Sequence, residues 1–217
     1  MVNPALIPAI RTTIRENEIG DASPYVLGFA KLGKSGASFG FMQGDTNVSE
    51  LARTTLRQAL TAAALDPARI ASIMTAVSRP LPSGNPLAPP DLAAVNLALA
   101  SGAGQKLVDA MDSQLLEQVL AGVDNCTAAA ATRGLAIAPI AYLYIAPWIN
   151  MTGPPSLLII WLKGGTALGL SPPALPTLTE ADMQAYLQST SYFQMHPKNF
   201  LHLKQCVLQG AKHLPKN

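Results

Sequence analysis

Residues 14–47 read "IRENEIGDASPYVLGFAKLGKSGASFGFMQGDTN". The stretch opens at the end of an amphipathic helix, crosses a Gly-punctuated segment, and closes on a polar turn. At about 100° per residue, Leu6, Ile10, Ile14 and position 18 form one stripe along the helix before it. Glu18 therefore continues the buried face, and Glu16 points to the opposite, polar side. A carboxylate at the border of an apolar core loses solvation, and its pKa rises. The C-terminal end of a helix dipole pushes the same way. A protonated carboxyl near neutral pH is what general acid catalysis requires. The bland alternative is a frayed helix end with Glu18 paired to Arg15 or Lys34.

The segment after the helix, about 25–46, alternates loosely and carries Gly28, Gly33, Gly36 and Gly40. That pattern predicts a small β-hairpin lobe. Gly36 and Gly40 would let backbone approach a ligand. Ser38 and Gln43 offer hydrogen bonds, and Asp45 is a second carboxylate. Ordinary surface polar groups on a turn-rich hairpin would look the same.

Outside the lobe the pattern is helical. Asn3 caps a first helix to about residue 17, Ser49 a second, and Asp66-Pro67 opens a third. Residues 79–90, "RPLPSGNPLAPP", form a Pro-rich loop, and Asp91 caps a short helix beyond it. Leu107, Met111, Leu115 and Val119 share a stripe of the amphipathic segment at 104–123. Further helices are expected at about 127–148 and 155–163. A loop precedes the C-terminal helices, at about 179–213, which start at Thr179 and Pro197. The fold class is mainly α (α+β), with one domain over 1–217.

Hydrophobic residues make up 49% and charged residues 13%, which argues against disorder. Net charge is +2 without a basic stripe, which speaks against nucleic acid as a partner. No Cys/His cluster has metal-ligand spacing, so no metal or cofactor is expected. His196, His202 and His213 lie in the C-terminal tail and read as structural or solvent-facing. Whether Cys126 and Cys206 pair is open. The N-terminus lacks the charged leader and apolar core of a secretory signal. Residues 134–162 are uncharged and long enough to span a bilayer. However, Pro139, Pro147, Gly153, Pro154 and Pro155 break them into two buried helices joined by a bend.

Glu18 with Gly20, followed by "SFGFMQGD" at 38–45, resembles the lysozyme-like superfamily, most closely goose-type lysozymes and soluble lytic transglycosylases. The interval from Glu18 to Tyr25 is also similar to that in phage T4-type lysozymes. A second stretch, "IAPWINMTGPPSLLIIWL" at 145–162, resembles the late transglycosylase motif of aromatic, Asn, small residue, Gly and Pro. Asn150, Gly153 and Pro154 match it, with one extra residue between Asn and Gly, and Trp148 stands near the motif's Tyr. Three features depart from the pattern. Ile19 follows the acid where the family has Ser. Aligning "REN" with the goose-type "RES" would move the acid to Glu16, which stays in reserve. The loop at 79–90 and the helices from Thr179 match nothing in the family.

The resemblance implies a lysozyme-like fold and a muramidase cutting between N-acetylmuramic acid and N-acetylglucosamine in peptidoglycan. Glu18 would be the general acid. Asp45 would activate water in a hydrolytic route, whereas lytic transglycosylation needs one carboxylate only. Tyr25, Ser38, Gln43, Tyr144 and Asn150 are the candidate sugar-binding residues, with Asn150 across a groove from the acid. Chitosan or chitin hydrolysis on the same fold ranks lower, because a cationic polymer favours more acids. A non-catalytic phage or secretion-apparatus module is the alternative of a different class, and an exposed Glu18 would mark it. A cell-wall enzyme lacking a signal peptide would leave the cytoplasm as an endolysin through a holin, or as an effector injected by a contractile secretion system. An injected effector implies an immunity protein as a further partner.

Overall fold

Local side-chain chemistry starts several of the helices. In the computed structural model, which describes residues 1–30 and 34–216, Asn3 accepts the Ala5 amide at 3.0 Å. It caps a 3-10 turn, Pro4–Leu6, that runs into α1 (Ile7–Glu18). Strands β1 (Gly28–Phe29), β2 (Ala37–Phe39) and β3 (Gly44–Asp45) follow as an antiparallel sheet, pairing Gly28 with Ser38 and Ser38 with Asp45. Ser49 caps α2 (Glu50–Ala62). Asp66 caps α3 (Pro67–Val77) by accepting the Ala68 and Arg69 amides, with Pro67 in the first turn. After α4 (Pro89–Ala100) comes the long α5 (Gly102–Ala131). Strand β4 (Ala136–Ile137) leads into α6 (Pro139–Thr152) and α7 (Ser156–Leu162). Strand β5 (Thr177–Leu178) pairs in parallel with β4. Helix α8 (Glu180–Gln188) starts on a reciprocal capping box between Thr179 and Asp182. Helices α9 (Ser191–Met195) and α10 (Pro197–Ala211) complete the chain.

The protein is thus mainly helical with a small β-lobe after the first helix, as the sequence pattern predicts. Among the described residues no helix is long and apolar enough to cross a membrane. The apolar segment from 134 onward is instead split between α6, whose residues 141–149 are all buried, and α7, which buries Leu158, Trp161 and Leu162 but exposes Leu157 and Ile160, so only the first of the two expected buried helices is one. Of the lobe's glycines, Gly33 lies outside the described residues.

Three expected boundaries are corrected. The amphipathic segment does not end near Val123: α5 continues to Ala131, through an alanine run that strongly favours helix. Gly134, at φ +72°, marks the break, and α6 starts afresh at Pro139. Asp91 is not the cap of α4. That helix starts two residues earlier with Pro89 in its first turn, and Asp91 pairs with Arg69 at 2.8 Å.

Read from sequence as one domain over 1–217, the chain divides into two compact units. One comprises Met1–Gly20 and Leu116–Asn217, and the other Asp21–Leu115. In the first, α1 packs on α6 and α10. Its core holds Ile10, Ile14, Leu143, Tyr144, Leu158, Trp161, Tyr186 and Leu203. Gly210 on α10 admits this approach, because a Cβ there would run into Thr13 Oγ1 and the Ala9 carbonyl on α1. In the second unit, the sheet, α2–α4 and the first turns of α5 enclose Phe39, Leu56, Leu60, Ile73, Val77, Leu99 and Met111.

Candidate functional site

Glu18 is the last residue of α1, and Gly20 ends the helix directly after it. The Ile19 and Gly20 amides both bond back to the Arg15 carbonyl, at 2.9 and 3.1 Å. Gly20 sits at φ +52°, a left-handed position that suits glycine and closes helices. Leu6, Ile10 and Ile14 on the same stripe are buried, so the stripe delivers Glu18 to the edge of the core, where it is half-buried. Its Oε1 accepts the side-chain amides of Asn17 at 3.1 Å and Asn150 at 3.0 Å. Among the described residues Oε2 has no hydrogen-bond partner and is not sealed from solvent. Glu18 forms no ion pair among them either, so it is not the paired, frayed helix end. Burial raises its pKa above the ordinary carboxylate value. The Asn17 and Asn150 amides, and a positive charge on His202, pull the other way without cancelling it.

Asn150 comes from the far end of α6, 132 residues along the chain. Gly153 ends that helix at φ 73° and ψ −153°, a region essentially reserved for glycine, and Pro154 and Pro155 prevent its continuation. The motif-bearing segments 14–20 and 148–155 therefore do meet. The expected spacing does not hold, because Asn150 bonds Glu18 directly and leaves no width for a sugar between them. Glu16 is also corrected: it is half-buried rather than outward, and near enough to Cys206 for its charge to raise that thiol's pKa.

Tyr144 is removed from the sugar-binding set. It is 1% exposed, and its hydroxyl donates to Glu180 at 2.7 Å and accepts from Gln184 at 2.8 Å. Burial pushes its pKa well above the ordinary phenol value.

The other candidates belong to the second unit. Ser38 donates to Gln43 Oε1 at 2.8 Å, and Gln43 Nε2 donates to the Gly40 carbonyl at 3.0 Å. Gln43 holds φ +51°, unusual for a residue with a side chain. Asp45 accepts the Gly36 amide at 3.0 Å and the Asn47 amide at 2.7 Å, which pins the turn. The Tyr25 hydroxyl bonds Asp109 at 2.9 Å. Gly36 and Gly40 serve packing rather than ligand approach: a Cβ would meet Asn47 at the first and Asp112 at the second.

Asp112, Asn17 and His202 were not singled out from sequence as parts of these sites. Asp112 is 1% exposed and accepts the Phe41 and Met42 amides at 2.9 and 3.1 Å. His202 lies one turn from Cys206 on α10, with its Nε2 3.5 Å from the sulfur. Cys126 and Cys206 are both free and buried, which raises their thiol pKa values to about 12 and about 11. Among the described residues no group of three or more His, Cys, Asp or Glu side chains converges to hold a metal ion.

No known family model, curated protein or solved structure matches this chain.

Proposed function

We propose that the chain is a lysozyme-like, peptidoglycan-cleaving glycosidase that cuts between N-acetylmuramic acid and N-acetylglucosamine, with Glu18 as its general acid. One observation carries the reading. Glu18 is a desolvated carboxyl with a raised pKa, one oxygen held by two amides and the other open. A proton on Oε2 passes to the glycosidic oxygen as its bond to C1 breaks, while Asn17 and Asn150 steady the carboxylate that forms.

Two completions are chemically balanced. In the first, water adds to C1, its proton returns to the Glu18 carboxylate, and a reducing muramyl end results. In the second, the muramyl 6-hydroxyl closes onto C1, its proton returns to Glu18, and a 1,6-anhydro sugar results. Asp45 spends its carboxylate on the Gly36 and Asn47 amides, which favours the second route, needing one carboxylate only. Gln43, Ser38 and Tyr25, all in the other unit, remain the proposed contacts for sugar hydroxyls and acetamido groups. A cell-wall substrate fits a phage endolysin or an injected effector, the latter with an immunity protein.

The test is digestion of purified sacculi with mass spectrometry of the released muropeptides. Anhydro-muramyl ends are expected. Reducing muramyl ends would assign hydrolysis instead. Reducing glucosamine ends would move the cut to another bond, and intact sacculi beside cleaved chitosan would move the substrate.

A further inference from the structure

On α6, Trp148 and Asn150 stand about 200° apart. The face opposite Asn150 opens on a pocket of about 320 Å³, at the low end for small-molecule sites, walled by Trp148, Pro154, Pro155, Ser156, Ser191 and Tyr192. We propose that this pocket is a second, non-catalytic subsite that binds one N-acetylhexosamine residue of a glycan. The choice of sugar rests on the glycan-cleaving function proposed above; the pocket itself rests on its own geometry.

The pocket exists because two chain reversals meet there. Gly153 ends α6, and Pro154 and Pro155 turn the chain into α7. Opposite, Thr190 caps α9 and carries Ser191 and Tyr192 to the rim. Trp148 is held by neighbouring rings, with Phe193 at 5.7 Å and Tyr192 at 6.4 Å between centroids. It is only 9% exposed.

The indole N–H decides what the pocket would take. A buried tryptophan usually finds an acceptor for it. Trp161 does, bonding the Ser171 carbonyl at 2.7 Å. Trp148 has none among the described residues, and the one sealed side-chain polar atom lacking a partner is Ser78 Oγ. The Trp148 donor is therefore reachable from solvent and uncommitted. A pocket lined by an indole whose N–H is uncommitted suits a neutral carbonyl acceptor. No lining residue is charged, which argues against an anionic or cationic ligand. An acetamido group supplies the carbonyl, its methyl fits against the proline rings, and the Ser156 and Ser191 hydroxyls suit sugar hydroxyls. The residues from α9 belong to the part of the chain outside the lysozyme-like motifs.

The experiment is an ¹⁵N–¹H titration of the full chain with N-acetylglucosamine, using glucosamine and glucose as controls. Two indole resonances exist, and Trp148→Phe identifies them. The expected result is a saturable shift of the Trp148 indole with N-acetylglucosamine, a still Trp161 indole, and no response to glucose. By calorimetry Trp148→Phe, which keeps a stacking ring, should weaken binding about tenfold, near 1.4 kcal/mol. Ser191→Ala, at the exposed rim, should weaken it less and guards against a misfolded Phe variant. An unmoved Trp148 resonance, or an equal response to glucose, overturns the subsite. Sacculus cleavage with an unmoved resonance leaves the Glu18 proposal standing. A specific shift in a protein that cleaves nothing supports the subsite and removes the enzyme.

Discussion

Asp112 and Glu18 are both carboxylates withdrawn from water, and they differ in what replaces the water. Asp112 places each oxygen on a backbone amide of the 40–42 turn and is 1% exposed. Glu18 has one oxygen held by two asparagine amides and the other without a partner among the described residues. A carboxylate satisfied on both oxygens ties two pieces of chain together. One that is desolvated on the edge of the core with a free oxygen can hold and release a proton. The proposed role of Glu18 rests on this contrast rather than on its position in a motif. Asp45, inside the motif, behaves like Asp112.

If the contrast is sound, the largest effect on stability falls on Asp112. Asp112→Ala strands two buried amides and opens a hole, at a cost of about 3–6 kcal/mol, since each charged hydrogen bond contributes about 1.5–3. Denaturant unfolding measures it, and a loss below about 1 kcal/mol would erase the contrast.

Asn150→Ala should cost about 1–3 kcal/mol of transition-state stabilisation with little loss of stability. The Asn150 amide lowers the Glu18 pKa, so its removal raises that pKa further. The alkaline limb of the pH–rate profile should move to higher pH, an effect that mere misfolding would not produce.

Asp45→Asn should lower stability by about 1–2 kcal/mol, through weaker acceptance of the Gly36 and Asn47 amides, and slow cleavage only in proportion. A large loss of activity at an unchanged melting temperature would make Asp45 a chemical acid after all.

The smallest effect is a pH signature of Glu18. Its folded pKa lies above the ordinary value of 4.5, so the native state binds the proton more tightly than the unfolded chain does. Native stability therefore falls as pH rises from the unfolded pKa through the folded one. Glu18→Gln lacks that penalty. Its melting temperature should match wild type below about pH 4.5 and exceed it at pH 7. A gap that opens toward acid instead would reverse the sign of the shift.

What the sequence disclosed was local. Asn3, Ser49, Asp66 and Thr179 each bond an amide two or three residues ahead, so a short window contains the whole interaction. The stripe that brings Glu18 to the core edge is likewise a property of one helix. The misses have distant causes. Asp112 in an amphipathic helix looks like a solvent-facing acid until the 41–42 amides, some 70 residues away, are set against it. Tyr144 reads as a free hydroxyl until Glu180 and Gln184, 36 and 40 residues on, take it up. Asn150 was found because its Gly-Pro helix stop is visible in sequence, but its contact with Glu18 was not.

The central claim is that Glu18, and not Glu16, supplies the proton. Rates of sacculus cleavage by wild type, Glu18→Gln and Glu16→Gln at one pH test it most directly, with thermal unfolding of each to establish that it is folded. The expected result is a loss of about 10²–10⁴-fold for Glu18→Gln, the usual worth of a general acid, and a near wild-type rate for Glu16→Gln. A folded Glu18→Gln protein that cleaves at the wild-type rate, or a loss confined to Glu16→Gln, would contradict the account.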